Sequence, residues 1–180
     1  MPTVIEGLYD KVAATDYLGD LPARSMAELR TLRAECQRLE DAVSYQRRLV
    51  QGRLDIVLAE HDRRAAGTLP VDLATLVASL PGTLAAGVAG PRRRHTTYER
   101  ELEDVADASA EVDAVIGASQ LSELPSLAAP DLADLTERLR QLERAVSGRR
   151  RTVFDRLDAL ADELGRRYRE GETTVDTLLA

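Results

Sequence analysis

The chain has 180 residues, with 31 acidic and 24 basic side chains and a net charge of −7. That balance excludes general DNA or RNA binding, which needs a basic footprint. It suits a basic protein partner, such as one that itself binds nucleic acid. Apolar residues make up 44% but aromatics only 3%, so Ala, Leu and Val supply the apolar surface. With abundant Glu and Arg, that mixture predicts long helices rather than sandwiches or barrels. Cys36 is the single cysteine, which excludes a disulfide framework and a cysteine metal cluster. His61 and His95 are too far apart for metal-ligand spacing, and Lys11 is the only lysine.

Residues 1–25 are expected to be a flexible or partly helical segment; early Glu6 and Asp10 do not fit a secretory signal. Ser25 with Glu28 three residues on forms a capping box, which predicts a helix over about 26–66. Leu29, Leu32, Cys36, Leu39 and Val43 alternate by three and four as a heptad seam, continued by Val50, Leu54 and Val57. Gly67 and Pro70 end it. Residues 71–80 read as a short connecting helix and Pro81 to Pro91 as a loop. Leu73 to Pro91 carries no charge over 19 residues, yet its prolines and glycines and its Ala-rich make-up argue against a spanning helix. The chain is therefore expected to be cytoplasmic. Arg92–Arg94 read as a solvated loop.

A third helix is expected over about 96–118, with Leu102, Val105, Val112 and Val115 on its apolar side and Glu99, Glu101, Glu103, Asp104, Asp107 and Glu111 on a solvated acidic side. A break from Gly117 to Pro130 precedes a second long helix over about 131–170. Its seam is Leu132, Leu135, Leu139, Leu142, Val146, Val153, Leu157, Leu160 and Leu164. No segment alternates as a strand. The fold class is all-α, with one helical domain over 26–170, a tail over 171–180, and the two long seams buried against each other.

Two segments read alike. LEDAVSYQRRLVQGRLDIVLAE, from Leu39 to Glu60, and LERAVSGRRRTVFDRLDALADE, from Leu142 to Glu163, share 12 of 22 positions without a gap. The conserved pairs include Glu40/Glu143, Ser44/Ser147, Arg47/Arg150 and Asp55/Asp158. At roughly 100° per residue, Ser44, Arg47, Gln51 and Asp55 fall with Glu40 in a stripe about 80° wide and about 22 Å long. Val43, Val50, Leu39 and Val57 lie on the adjoining arc, at roughly −60° to −100° from Glu40. The polar stripe therefore borders the seam.

A plain coiled coil also places Glu and Arg beside its seam, where they pair across helices. It accounts poorly for Ser44 and Ser147, because serine is a weak helix former that brings no charge. Arginine can bond guanine O6 and N7, and a carboxylate can accept from guanine N–H groups. Serine with arginine suits a phosphate. Two such stripes fit an elongated ligand carrying guanines and phosphates.

Glu40-x3-Ser44-x2-Arg47-x3-Gln51-x3-Asp55 resembles the full signature of the RsiG-type anti-sigma factors of actinobacteria. The second copy, Glu143-x3-Ser147-x2-Arg150-x3-Phe154-x3-Asp158, departs from it only at Phe154, where Gln is expected. The resemblance implies an antiparallel coiled-coil pair with one motif on each helix and two cyclic di-GMP molecules held between the motifs. It implies that the loaded protein sequesters a WhiG-type sigma factor of the sporulation programme. Arg47, Arg150, Asp55 and Asp158 are then expected to recognise bases, and Ser44 and Ser147 to serve phosphate or backbone oxygens. Glu40, Glu143 and Gln51 would orient the arginines or reach the bases. The acidic helix would engage a basic sigma-factor surface.

Arg38 to Asp41 also spells RxxD, a pattern of inhibitory sites in diguanylate cyclases, but no GGDEF-like sequence accompanies it. No phosphate loop, nucleophile elbow or His–carboxylate cluster points to an enzyme. The alternative is a structural coiled-coil adaptor without a nucleotide ligand, its stripe spent on interhelical ion pairs.

Overall fold

The computed structural model describes residues 4–67 and 98–171. The expected connecting helix at 71–80, the loop at 81–91, the Arg92–Arg94 run and the tail beyond Gly171 lie outside these residues. Within them the fold is all-α, with no strand. The helices are α1 (Val4–Ala13), α2 (Met26–Ala65), α3 (Tyr98–Val115), α4 (Ala118–Leu121) and α5 (Ala129–Arg169). Two 3-10 turns, Leu21–Ala23 and Leu124–Ser126, precede the long helices α2 and α5. No helix among the described residues is long and apolar enough to cross a membrane.

The expected capping box is present. Glu28 N–H donates to Ser25 Oγ at 3.2 Å, and Ser25 N–H donates to Glu28 Oε2 at 2.7 Å. The two donors satisfy each other's helix end, so α2 starts where the sequence predicts. Both seams are buried: Leu29, Leu39, Val43, Val50 and Val57 on α2, and Leu132, Leu139, Val146, Val153 and Leu160 on α5. Leu54 and Leu157 are half-buried.

The chain forms two compact units. The first holds residues 1–47 and 144–180, the second 48–143. Each joins a short helix, a Leu-Pro turn and the first part of one long helix to the last part of the other. The internal repeat is therefore longer than its 22-residue match. Leu21-Pro22 and Leu124-Pro125 also stand 103 apart, in matching turns. So do the two Glu-x2-Arg-Arg clusters that begin at Glu60 and Glu163.

Matching arginines lock matching carbonyls. In the first unit Arg156 donates to the Val12, Ala13 and Ala14 carbonyls at 3.3, 3.4 and 3.2 Å, closing the C-terminal end of α1. In the second unit its counterpart, Arg53, donates to the Ile116 carbonyl just beyond α3 and pairs with Asp113 in the last turn of α3. These guanidiniums satisfy carbonyls that a helix end leaves without partners. Arg167 donates to the Leu21 and Pro22 carbonyls at 2.9 and 3.1 Å, and Arg64 to the Leu124 carbonyl at 2.7 Å. Each clamp arginine is steadied by its own carboxylate: Glu163 accepts from Arg167 at 2.6 Å and Glu60 from Arg64 at 2.6 Å.

Helix α3 departs from the sequence reading. Val105 is 39% exposed, and Asp104, expected on the solvated acidic side, is 7% exposed. Burial follows Val112, Ala108 and Asp104, a row of four-residue steps that drifts about 40° per step. Two steps before Val112 the row has moved away from Val105. Asp104 is thus not part of an exposed acidic surface, and the side chains of Glu99, Glu101 and Glu103 lie outside the described residues.

The clamps carry a pH dependence. Arg63, then Arg64, hold the Glu60 carboxyl at about 2, and Arg166, then Arg167, hold Glu163 at about 2. Both values lie below the unfolded range, so the clamps contribute fully above about pH 5 and lose their contribution as pH falls toward about 2. Thermal melts should show a midpoint that declines across that window. Joint Glu60→Gln and Glu163→Gln substitution should lower the midpoint at pH 7 and make the acid decline shallower. An acid profile identical to the parent's would remove the clamps from the account.

Candidate functional site

The two motif copies meet in antiparallel register. In the first unit Arg47 Nε donates to Ser147 Oγ at 3.0 Å, and Arg150 Nε donates to Ser44 Oγ at 2.9 Å. Each arginine thus reaches the serine of the other copy, one contact repeating the other under exchange of the helices. In the second unit Gln51 Nε2 donates to Glu143 Oε1 at 3.4 Å. The residue numbers in each of these pairs add to 194.

The register follows from the sequence. A polar stripe that borders the seam, repeated on both helices, meets its own copy along the edge of the interface when the helices run antiparallel. Serine is small enough for the facing guanidinium to approach, and its hydroxyl accepts the bond. Glu40, Ser44, Arg47, Gln51, Glu143, Ser147 and Arg150 are all half-buried. They are partly shielded from water yet reachable from one side.

Phe154 breaks the symmetry. By the same register it stands opposite Glu40, as Gln51 stands opposite Glu143. Without an amide there, Glu40 Oε1 accepts from Ser44 Oγ at 2.6 Å and lies 3.6 Å from Arg150 Nε. The Phe154 ring sits under the same guanidinium, 4.4 Å from ring centroid to Arg150 Cζ. Arg150 is therefore held by a hydroxyl, a carboxylate and an aromatic face together. In place of the expected Gln, Phe154 positions Arg150.

Asp55 and Asp158 stand apart. Both are exposed, and neither has a hydrogen bond or ion pair to any described residue. They sit at the edge of the stripe farthest from the seam, where helical geometry puts them. The first unit offers planar donors on Arg47 and Arg150, acceptor carboxylates on Glu40 and Asp158, and two hydroxyls; the second offers the carboxylates of Glu143 and Asp55 and the amide of Gln51. Among the described residues no group of His, Cys, Asp and Glu has metal-site geometry.

The sequence profile of the RsiG-like family matches residues 15–81 and 118–180, which is 67 and 63 residues, or 130 of the 180. The chain belongs to the RsiG-like family. The two matched stretches begin 103 residues apart, the spacing of the repeat, and between them they contain both motif copies. No curated protein matches the chain.

Sequence reasoning missed the structural arginines. Arg53 and Arg156 lie within the repeated segment but off the polar stripe, and they hold short helices. The signal was present in the same identities: a conserved arginine outside the stripe needs a partner other than the one facing the stripe.

Phe154→Leu keeps apolar bulk but loses the ring under Arg150, and urea unfolding should show a loss of about 0.5–1 kcal/mol. Phe154→Gln should recover part of that loss through a bond to Glu40 like that of Gln51 to Glu143. A glutamine variant less stable than the leucine variant would contradict this account of the asymmetry.

Proposed function

We propose that this RsiG-like protein is a cyclic di-GMP-responsive anti-sigma factor that takes up two nucleotide molecules at its motif residues and, so loaded, sequesters a WhiG-type sigma factor to repress sporulation genes. One observation carries the nucleotide part of this reading. Part of the repeated polar set is not consumed within the described residues: Asp55 and Asp158 are exposed and bond to none of them. An interhelical ion-pair ladder, the alternative from the sequence, would give those carboxylates cationic partners. Carboxylates retained twice without one fit donors that arrive from outside, and the N1–H and amino group of guanine are such donors.

The remaining groups follow the same chemistry. Arg47 and Arg150 are half-buried, and a guanidinium bonds guanine O6 and N7 or a phosphate in a bidentate manner. Their serine contacts hold the planes in place before ligand arrives, which lowers the ordering cost of binding. The reciprocal contacts suit a ligand with two-fold symmetry, as cyclic di-GMP has. The net charge of −7 suits a partner whose own surface is basic, as that of a DNA-reading sigma factor is. No catalytic constellation is part of this reading, and the protein acts by binding.

Calorimetric titration tests it. Cyclic di-GMP should bind with a ratio near two nucleotides per chain, and GMP should bind far more weakly. Joint Arg47→Ala and Arg150→Ala substitution should abolish the heat while leaving the far-ultraviolet helical signal unchanged. Undiminished binding by that variant would overturn the site. Silence of the parent protein at high micromolar ligand would overturn the ligand and favour the structural adaptor. Pull-down of a WhiG-type sigma factor with and without nucleotide tests the partner; capture that ignores nucleotide would contradict the switch.

A further inference from the structure

Tyr17 and Gln120 stand at equivalent positions of the repeat, 103 residues apart; Tyr17 lies between α1 and its Leu-Pro turn, and Gln120 lies in α4, just before the other Leu-Pro turn. In the first unit the Tyr17 ring is buried. Its hydroxyl lies 3.0 Å from Glu35 Oε2 and 3.4 Å from the Leu32 carbonyl, and the Cys36 thiol donates to it at 3.7 Å. Burial pushes the phenol's pKa well above its usual value. In the second unit Gln120 is exposed and caps its own helix, α4: its side-chain oxygen accepts from the N–H of Gly117, the N-cap, at 2.8 Å. The place a ring fills in the first unit is an open cavity of about 290 Å³ in the second. Val115, Ile116 and Leu135 provide its apolar wall, and Glu123, Asp131 and Asp134 its acidic rim.

We propose that this cavity is a docking seat for a tyrosine side chain of a partner protein, presented on a segment with arginine or lysine beside the tyrosine. The first unit is the template, since the repeat-equivalent seat holds a tyrosine. The residues that receive the hydroxyl have counterparts: Leu32 corresponds to Leu135, and Glu35 to Arg138, which also lines the cavity. An incoming phenol can donate to the second lone pair of the Leu135 carbonyl while its oxygen accepts from the Arg138 guanidinium. The volume lies at the small end of ligand pockets, enough for one side chain and too small for a cofactor. Three carboxylates on the rim select a basic neighbourhood around the ring. Tyrosine anchors seated in a pocket are a common source of interface energy. The seat lies wholly within the second unit and does not depend on the nucleotide reading.

The test uses the full chain labelled at isoleucine methyl groups, of which there are three: Ile5, Ile56 and Ile116. The probes are the capped tripeptides Arg-Tyr-Arg and Arg-Ala-Arg. Arg-Tyr-Arg should shift the Ile116 methyl resonance saturably and leave Ile5, in the first unit, in place. Arg-Ala-Arg should leave Ile116 unmoved. Gln120→Tyr fills the seat from within, so it should raise the melting temperature by several degrees and remove the peptide-induced shift. Arg138→Ala, at an exposed position, should keep the fold and weaken the tyrosine peptide roughly fivefold, the loss of one hydrogen bond. Equal shifts with both peptides would reduce the effect to rim charge and overturn the seat. So would unweakened binding by both variants, or an Ile116 resonance that does not move at millimolar Arg-Tyr-Arg.

Discussion

Each motif arginine is held by the serine of the other motif copy, and the rest of the site depends on that exchange. Arg47 to Ser147 and Arg150 to Ser44 are the same contact made in both directions. It needs antiparallel helices, identical spacing on both, and a side chain small enough opposite each guanidinium. A leucine at position 44 or 147 would separate the helices; an alanine would leave the arginine free to turn toward water. Serine meets both demands, which accounts for a weak helix former recurring in the middle of helices of 40 and 41 residues.

The repeated polar residues divide into two sets with different work. Arg53, Arg156, Arg64 and Arg167 are spent on backbone carbonyls of short helices and Leu-Pro turns, and Glu60 and Glu163 keep the last two in place. Their exact positions are set by the fold. The stripe residues face one another across the helix pair, as Arg47 and Ser147 do, or face outward, as Asp55 and Asp158 do. Both sets recur at an offset of 103 because each unit is built from both halves of the chain. A fold-holding arginine in one copy therefore has a fold-holding counterpart in the other.

Much of this is legible in the sequence. The seams and the position of the stripe beside them follow from helical periodicity, and the ends of the two long helices from the capping box at Ser25 and the glycine and proline breaks. Helical periodicity also put Asp55 and Asp158 at the edge farthest from the seam, where they are exposed. What periodicity could not supply was partners. Asp104 is buried and Val105 exposed because α3 drifts across what it packs on, and an apolar pattern does not encode that drift. The cation–π contact of Phe154 with Arg150 needs the rotamers of both. The contrast between a seated Tyr17 and an outward Gln120 appears only when the two units are compared residue by residue. Where duplication preserves a residue, one copy instructs the reading of the other; where it does not, the difference marks a change of use.

The central claim is that the two motif copies act as one binding surface for cyclic di-GMP. Amide hydrogen exchange with and without the nucleotide tests it most directly. The account predicts slowed exchange in both segments, 40–55 and 143–158, rising together with ligand concentration. Protection in one segment only, or in neither at a nucleotide concentration that saturates binding heat, would contradict it.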